Sequence, residues 1–480
     1  MSAQAHAPAA TADRDRIPLL QKLMFATGEN MNFICTGLMT SVLWMPFFNI
    51  GLGMKPYILG IILMIYRAWD AITDPIIGNW SDNTRTRWGR RRPFLVVGAI
   101  LTAAVYPFFW HMPVDLTDQA KVAYLIVVGM VYFTVYTVWS MPYYGFQLEL
   151  TPDYDERTRL AAWCTLFAKF GFFIGGWILA IATSDHFIDP ATGKPDILVG
   201  MRYTSWFIAG AILVVGLLPA IFVKERYYKH EAASTQAPTR LWTSLRESAG
   251  CRPLWYLVGA SFFLVLGSGS VSTLGQYLNF YYVNHGDLQT ANIIAGWKTT
   301  VIVVTGIASI PLLTWLGRRH DKRVMITAMM LFSLFGHLLA YFCMTPEHPY
   351  LQIVSGVFEA SALSAFWLFI PSMKADVADA DEISTSRRRE GSLNAFFSWF
   401  IKVAHTVAFF FAGVLLELTG FVDPKLPVQP PEVLSRMMGI YIVLPLVIWG
   451  LGLLCIWKYP LGREKMGAIR TELEARRGEV

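Results

Sequence analysis

The chain has 480 residues, 54% of them hydrophobic and only 15% charged, with a formal net charge of +6. Soluble domains carry about 25% charged residues, so this composition excludes a soluble enzyme on a single anchor and points to a polytopic membrane protein. The positive balance does not imply nucleic acid, because the basic residues fall in short loops between apolar runs.

In chain order, residues 1–19 lack an apolar core followed by a cleavage site, so they read as a cytoplasmic tail rather than a signal peptide. Twelve apolar segments follow, near 20–49, 56–81, 93–112, 119–148, 160–184, 200–223, 254–284, 288–316, 324–344, 349–373, 393–419 and 435–458. About 20 residues of helix span the hydrocarbon, so each is long enough to cross. The predicted fold class is an all-α polytopic membrane protein of twelve transmembrane helices. Its predicted domains are a six-helix bundle at 20–223, a cytoplasmic linker at 224–253, a second six-helix bundle at 254–458 and a cytoplasmic tail at 459–480. The loops DNTRTRWGRRR (82–92), DYDERTR (153–159), 224–252, GRRHDKR (317–323) and STSRRRE (384–390) all carry arginines or lysines. The alternate loops carry Lys55, Lys194, Lys425 and little else. That asymmetry puts both termini on the cytoplasmic side of a bacterial-type inner (plasma) membrane.

The second segment is the most informative. PYILGIILMIYRAWDAITDPIIGNW (56–80) is apolar enough to cross a bilayer, yet carries Arg67, Asp70 and Asp74. Positions i and i+4 share one helix face, so both carboxylates sit together at membrane depth, where a charge costs from about 2.5 to over 10 kcal/mol. One reading is a structural ion pair with Arg67 or Lys402. The other is a cation site, since like charges one turn apart repel unless a proton or metal intervenes. Thr73 and Thr137 could complete the oxygen set for a sodium ion, with Asp70 and Asp74 as its metal ligands. A proton needs only one carboxylate.

The two halves echo one another. GRRR (89–92) follows the second helix and GRRHDKR the eighth; Asp153-Tyr-Asp-Glu156 follows the fourth and Asp379-Ala-Asp-Glu382 the tenth; Lys169 and Lys402 lie inside the helices that come next. The matching order predicts pseudo-symmetric bundles around a central cavity. Arg90, Arg91, Asp153, Asp379, Asp381 and Arg388 are predicted gate residues, paired in one conformation and separated in another. Glu29 and Asn30 in the first helix read either as helix-packing hydrogen bonders or as substrate contacts. Arg67, Ser140, Tyr144, Lys169, Trp367 and Lys402 are the further substrate candidates. Five scattered cysteines (Cys35, Cys164, Cys251, Cys343 and Cys455) have neither metal spacing nor a disulfide framework.

YRAWDAITDPIIGNWSDNTRTRWGRRRPF (66–94), ADVADADEISTSRRREG (375–391), Lys402 and Phe366-Trp367 resemble the glycoside–pentoside–hexuronide:cation symporter family of the major facilitator superfamily. The GRRR loop alone would give only the superfamily; the RxxDxxxDP motif is narrower. The resemblance covers nearly the whole chain. It implies two six-helix bundles, alternating access, and cation carboxylates at Asp70 and Asp74 with Thr137 beside them. It also implies Lys402 facing the acidic cluster and Trp367 near a sugar. The chain departs from the family's galactoside pattern at Asn30, Thr73, Ser140, Tyr144 and Phe167, so a galactoside is not carried over. The expected activity is Na+- or H+-coupled symport of a sugar, glycoside or uronide by a monomer in the lipid bilayer, with no cofactor and no catalytic residues. An amphiphile carrier of the same fold is the nearest alternative. A membrane sensor and an intramembrane enzyme are the alternatives of other classes, and no HExxH or GxSxG supports the enzyme.

Overall fold

The computed structural model describes residues 16–151, 154–189, 193, 195–225, 248–385, 390–421, 424, 426 and 428–477. The first crossing begins as α1 (Leu19–Asn32) and continues through π-helical turns at Phe33–Leu43 and Pro46–Gly51. Then follow α2 (Pro56–Asn83), α3 (Arg92–Trp110), α4 (Asp118–Glu149), α5 (Tyr154–Ala182) and α6 (Ile197–Phe222). The second half repeats the series as α7 (Arg252–Tyr277, extended by a π-helical turn at Leu278–Val283), α8 (Leu288–Arg319), α9 (Lys322–Cys343), α10 (Ile353–Thr385), α11 (Glu390–Leu418) and α12 (Pro431–Trp457). A last helix, α13 (Arg463–Arg477), is short and polar.

Among the described residues, ten helices are long and apolar enough to span a bilayer. The first crossing and α2 complete the twelve. The first is broken into α and π stretches, and α2 carries Arg67, Asp70 and Asp74 in its middle. π-helical turns widen a helix and cluster at functional sites. The starts of the long helices follow local chemistry. The Thr117 hydroxyl accepts from the Ala120 N–H, the Asp287 carboxylate from Thr290, and the Asp321 carboxylate from Arg323, each satisfying a donor that the first turn leaves open.

The chain forms two compact units. The first gathers the N-terminal crossing up to Val42, α2 from Ala68, α3, α4, α5 up to Gly175, and α6 from Leu198. Its core is a stack in which Phe25, Tyr143 and Trp139 lie face to face at 4.5 and 4.7 Å, and the Trp139 indole donates to the Gly216 carbonyl at 3.0 Å. Buried indoles and phenols need such partners.

The second unit holds all the described helices from α7 onward, together with Leu43–Arg67 and Gly176–Ile197 from the first half of the sequence. Those two segments are fastened to it closely. The Tyr277 hydroxyl donates to Asn49 Oδ1 at 2.6 Å, the Trp177 indole to Thr300 at 3.1 Å, and the Asn292 amide to Thr183 at 3.2 Å. The backbones of α2 and α11 touch. A Cβ on Gly413 would lie 2.4 Å from the Pro56 carbonyl oxygen, and one on Gly60 3.0 Å from that of Phe409. At Gly413 only glycine permits this approach, and at Gly60 any larger residue would force the neighbouring backbone to give.

Candidate functional site

In the first unit, α2 and α4 are joined by hydrogen bonds between polar side chains. The Trp69 indole donates to Thr134 Oγ1 at 2.8 Å, and Thr137 Oγ1 donates to Asp74 Oδ1 at 3.3 Å. Thr134 and Thr137 are three residues apart and share a face of α4. Thr137 is buried and Asp74 half-buried, one turn beyond half-buried Asp70. Thr73 is buried, and its hydroxyl donates to the Trp69 carbonyl of its own helix at 3.2 Å. Pro75 lies inside α2. It has no N–H for the carbonyl of Ala71, which frees an oxygen on the helix between the two aspartates. The cluster therefore gathers hard oxygen atoms, two carboxylates and hydroxyls, on the facing sides of α2 and α4.

On α1, Asn32 is the hub. Its amide donates to Glu29 Oε2 at 3.5 Å and to the Tyr144 hydroxyl, while its own carbonyl oxygen accepts from Tyr136. The Tyr143 hydroxyl donates to the Phe25 carbonyl at 3.1 Å and reaches Glu29 Oε1 at 3.4 Å. Glu29 and Tyr144 thus share one network. Asn30 faces elsewhere: it is 9% exposed, its Oδ1 has no hydrogen-bond partner among the described residues, and it lies against Gly171 of α5. Ser140 is buried in α4 and Lys169 half-buried in α5.

The other candidates lie in the second unit. Arg67 sits over the Phe409 ring at 5.6 Å, Lys402 is exposed on α11, and Trp367 is exposed on α10 with its ring edge-on to Phe366. Lys298 of α8 and Glu359 of α10 form an ion pair at 3.0 Å.

The predicted gate loops are ordered by an acid that sequence reasoning missed. Glu225, just after α6, accepts the backbone N–H groups of Arg90 at 2.8 Å, Arg91 at 2.8 Å and Arg92 at 3.2 Å. The guanidinium of Arg91 pairs with Asp82 at 3.0 Å. The arginine-rich loop thus wraps a carboxylate with its main chain at the start of α3, where the helix dipole favours negative charge. The second unit repeats the device. Asp321 at the start of α9 accepts from the Arg323 N–H at 2.9 Å and, after α12, from the Arg463 N–H at 2.8 Å. Lys322 pairs with Asp376 at 2.6 Å. Asp379 is half-buried and Asp381 buried near the end of α10. Asp153 and Arg388 lie outside the described residues. Glu156 is fully buried beside Lys22 at 2.6 Å and also accepts the Ile17 N–H at 2.8 Å. Burial pushes its carboxyl up, but those two partners and Arg159 outweigh burial and hold it below its ordinary value.

Missed residues such as Tyr136 and Glu225 had one available signal, an unexplained polar group in or beside an apolar span. Their partners are far away in sequence, so the signal had no addressee.

Twelve crossings in two related halves, with carboxylates and hydroxyls grouped inside one of them, are the architecture of a polytopic secondary transporter. The chain belongs to the MFS/sugar transport protein family, whose model matches residues 26–463. It is similar to a putative glycoside/cation symporter, YagG, of Escherichia coli (strain K12), with 27% identity over 88% of this chain and 87% of that one. It is also similar to the sodium-dependent lysophosphatidylcholine symporter 1-B of Danio rerio, with 23% identity over 97% of this chain and 91% of that one. Among solved structures, a bacterial homologue of the human lysosomal transporter Spinster, in an inward-facing and unoccupied conformation, shares the fold. Its TM-score is 0.63 at 13% identity, over 93% of this chain and 99% of that one. The expected symporter family and fold are therefore borne out, and the protein is a transporter rather than an enzyme.

Proposed function

We propose that this protein imports a glycoside-like, hydroxyl-rich solute together with a cation, by alternating access. The observation that carries the reading is the α2–α4 cluster, in which Thr137 bonds Asp74 one turn from Asp70 inside a membrane-spanning helix. Hard cations take oxygen ligands, and Asp70, Asp74, Thr73 and Thr137, with the Ala71 carbonyl that Pro75 leaves without a helix donor, supply them; we assign sodium, with a proton as its rival. Cation binding neutralises the two aspartates and raises affinity for the solute bound beside them, and linkage makes the effect mutual. One charge crossing 100 mV is worth about 2.3 kcal/mol, which drives accumulation of about fifty-fold. Glu29, Asn30, Arg67, Ser140, Tyr144, Lys169, Trp367 and Lys402 remain the proposed solute contacts. Both termini face the cytoplasm in this reading, with 20–223 and 254–458 as the two halves of the carrier. The fastening of Leu43–Arg67 and Gly176–Ile197 to α7, α8 and α11 then forms the outer closure. The GRRR loop, Asp153, Asp379, Asp381 and Arg388 belong to the inner gate.

The test is uptake by proteoliposomes that scan glycosides and uronides under imposed sodium or proton gradients. Concentrative uptake is expected with one gradient only, and Asp70→Asn or Asp74→Asn abolishes it while leaving exchange. Full accumulation in both variants overturns the ion assignment. The lysophosphatidylcholine symporter among the relatives favours an amphiphile as the second reading. Uptake of a lysolipid that no glycoside inhibits would replace the first reading with the second.

A further inference from the structure

The Lys298–Glu359 pair is an ion pair within the membrane-spanning part of the second unit that the proposed ion cycle does not use. Lys298 lies ten residues into α8 and Glu359 six residues into α10, at depths of about 15 and 9 Å along their helices. An ion pair at such a depth faces a bundle interior or an aqueous cavity rather than lipid. It is not sealed, since the side chains keep 23% and 16% exposure.

The pair is also incompletely satisfied. Glu359 Oε1 takes Lys298 at 3.0 Å and the Ser355 hydroxyl at 3.5 Å. Glu359 Oε2 accepts no hydrogen bond among the described residues, and the ammonium of Lys298, which has three N–H donors, uses one. A purely structural ion pair at depth repays its desolvation only when its remaining donors and acceptors are also engaged. Here an open carboxylate oxygen stands beside open N–H groups, on a pair whose net charge is zero.

That combination selects the ligand. An anion would have to evict Glu359 from Lys298 and leave a carboxylate unpaired at depth. A cation would do the same to Lys298. A hydroxyl group does neither: it donates to Oε2 and accepts from Nζ at once. Two hydroxyls on neighbouring ring carbons match the separation of such a donor and acceptor at ordinary hydrogen-bond lengths. We propose that Lys298 and Glu359, steadied by Ser355, form a binding subsite for a neutral vicinal diol of the transported solute. This rests on the reading of the protein as a glycoside carrier.

The test uses purified full-length protein in nanodiscs, titrated calorimetrically with glycosides, their mono-deoxy analogues and sodium. The comparison is with the double variant Lys298→Met/Glu359→Leu, which leaves no stranded charge. Hydrogen bonds to charged groups predict about 10- to 100-fold weaker glycoside binding in the double variant, with sodium affinity unchanged. A deoxy analogue that weakens binding to the wild type should cost the double variant nothing further. Glycoside affinity retained in the double variant overturns the subsite and leaves glycoside transport standing. A wild type that binds no glycoside but does bind a lysolipid overturns both. If the double variant does not fold, the wild type alone decides. A loss of at least about tenfold for one particular deoxy position supports the subsite, and the absence of any such position refutes it.

Discussion

Replacing Gly413 by alanine should loosen the junction of α2 with α11 and shift the carrier toward its outward-open state. The added Cβ would sit 2.4 Å from the Pro56 carbonyl oxygen, 3.0 Å from its carbon and 3.1 Å from Tyr57 Cα. All three are main-chain atoms, so no rotamer change relieves the clash and the two helices must separate by about 1 Å. Overpacking of this kind costs about 1–3 kcal/mol. The penalty falls only on the conformation in which these backbones touch, so the open-to-closed ratio should rise by about 5- to 150-fold. The assay is labelling of Asn49→Cys, buried beside Tyr277, with a membrane-impermeant maleimide on intact cells, with and without Gly413→Ala. The parent protein serves as the blank for the native cysteines. Labelling should accelerate by that factor in the double variant. An unchanged rate in a protein of unchanged stability would show that this contact does not close the outer face.

Three further outcomes are expected. Thr137→Val removes the hydroxyl that donates to Asp74 and should weaken sodium binding by about 10- to 100-fold in isothermal titration, with glycoside-induced stabilisation retained at saturating sodium. Glu225→Ala strips the acceptor from three N–H groups at the start of α3 and should destabilise the protein by about 1–3 kcal/mol in thermal unfolding. Arg90→Ala should cost less, because its main-chain donor survives; equal losses would mean that side chains hold the loop. For Glu156 the folded carboxyl lies below its ordinary 4.5, so its stabilising contribution is complete above that value. It is lost as pH falls through the lower folded value. Thermal unfolding from pH 7 downward should show an acid-side decline that Glu156→Gln diminishes, and identical profiles would refute the role of the Lys22 pair.

The fold class was legible in the sequence because it depends on quantities that add along the chain. Apolar runs of bilayer length gave twelve crossings. The first proved to be partly π-helical and α2 retained its charges, yet neither changed the count. The same local logic exposed Asp70 and Asp74, since a carboxylate in an apolar run is conspicuous without knowledge of its neighbours. The echo between GRRR and GRRHDKR was also visible. What was not visible was that each loop is anchored by an acid, Glu225 or Asp321, through backbone N–H groups that carry no sequence signature.

Partnership was decided by tertiary structure alone. The fold brings Glu359 to within 3.0 Å of Lys298, 61 residues away, and cancels a charge that neither segment balances by itself. Asn30 and Asn32 are two residues apart in one polar stretch, yet Asn30 turns to α5 and Asn32 to the tyrosines of α4. Hydropathy and charge are summed residue by residue and survive without coordinates. A hydrogen bond or ion pair is set within a few tenths of an ångström between distant segments, so only the packed helices determine which polar groups meet.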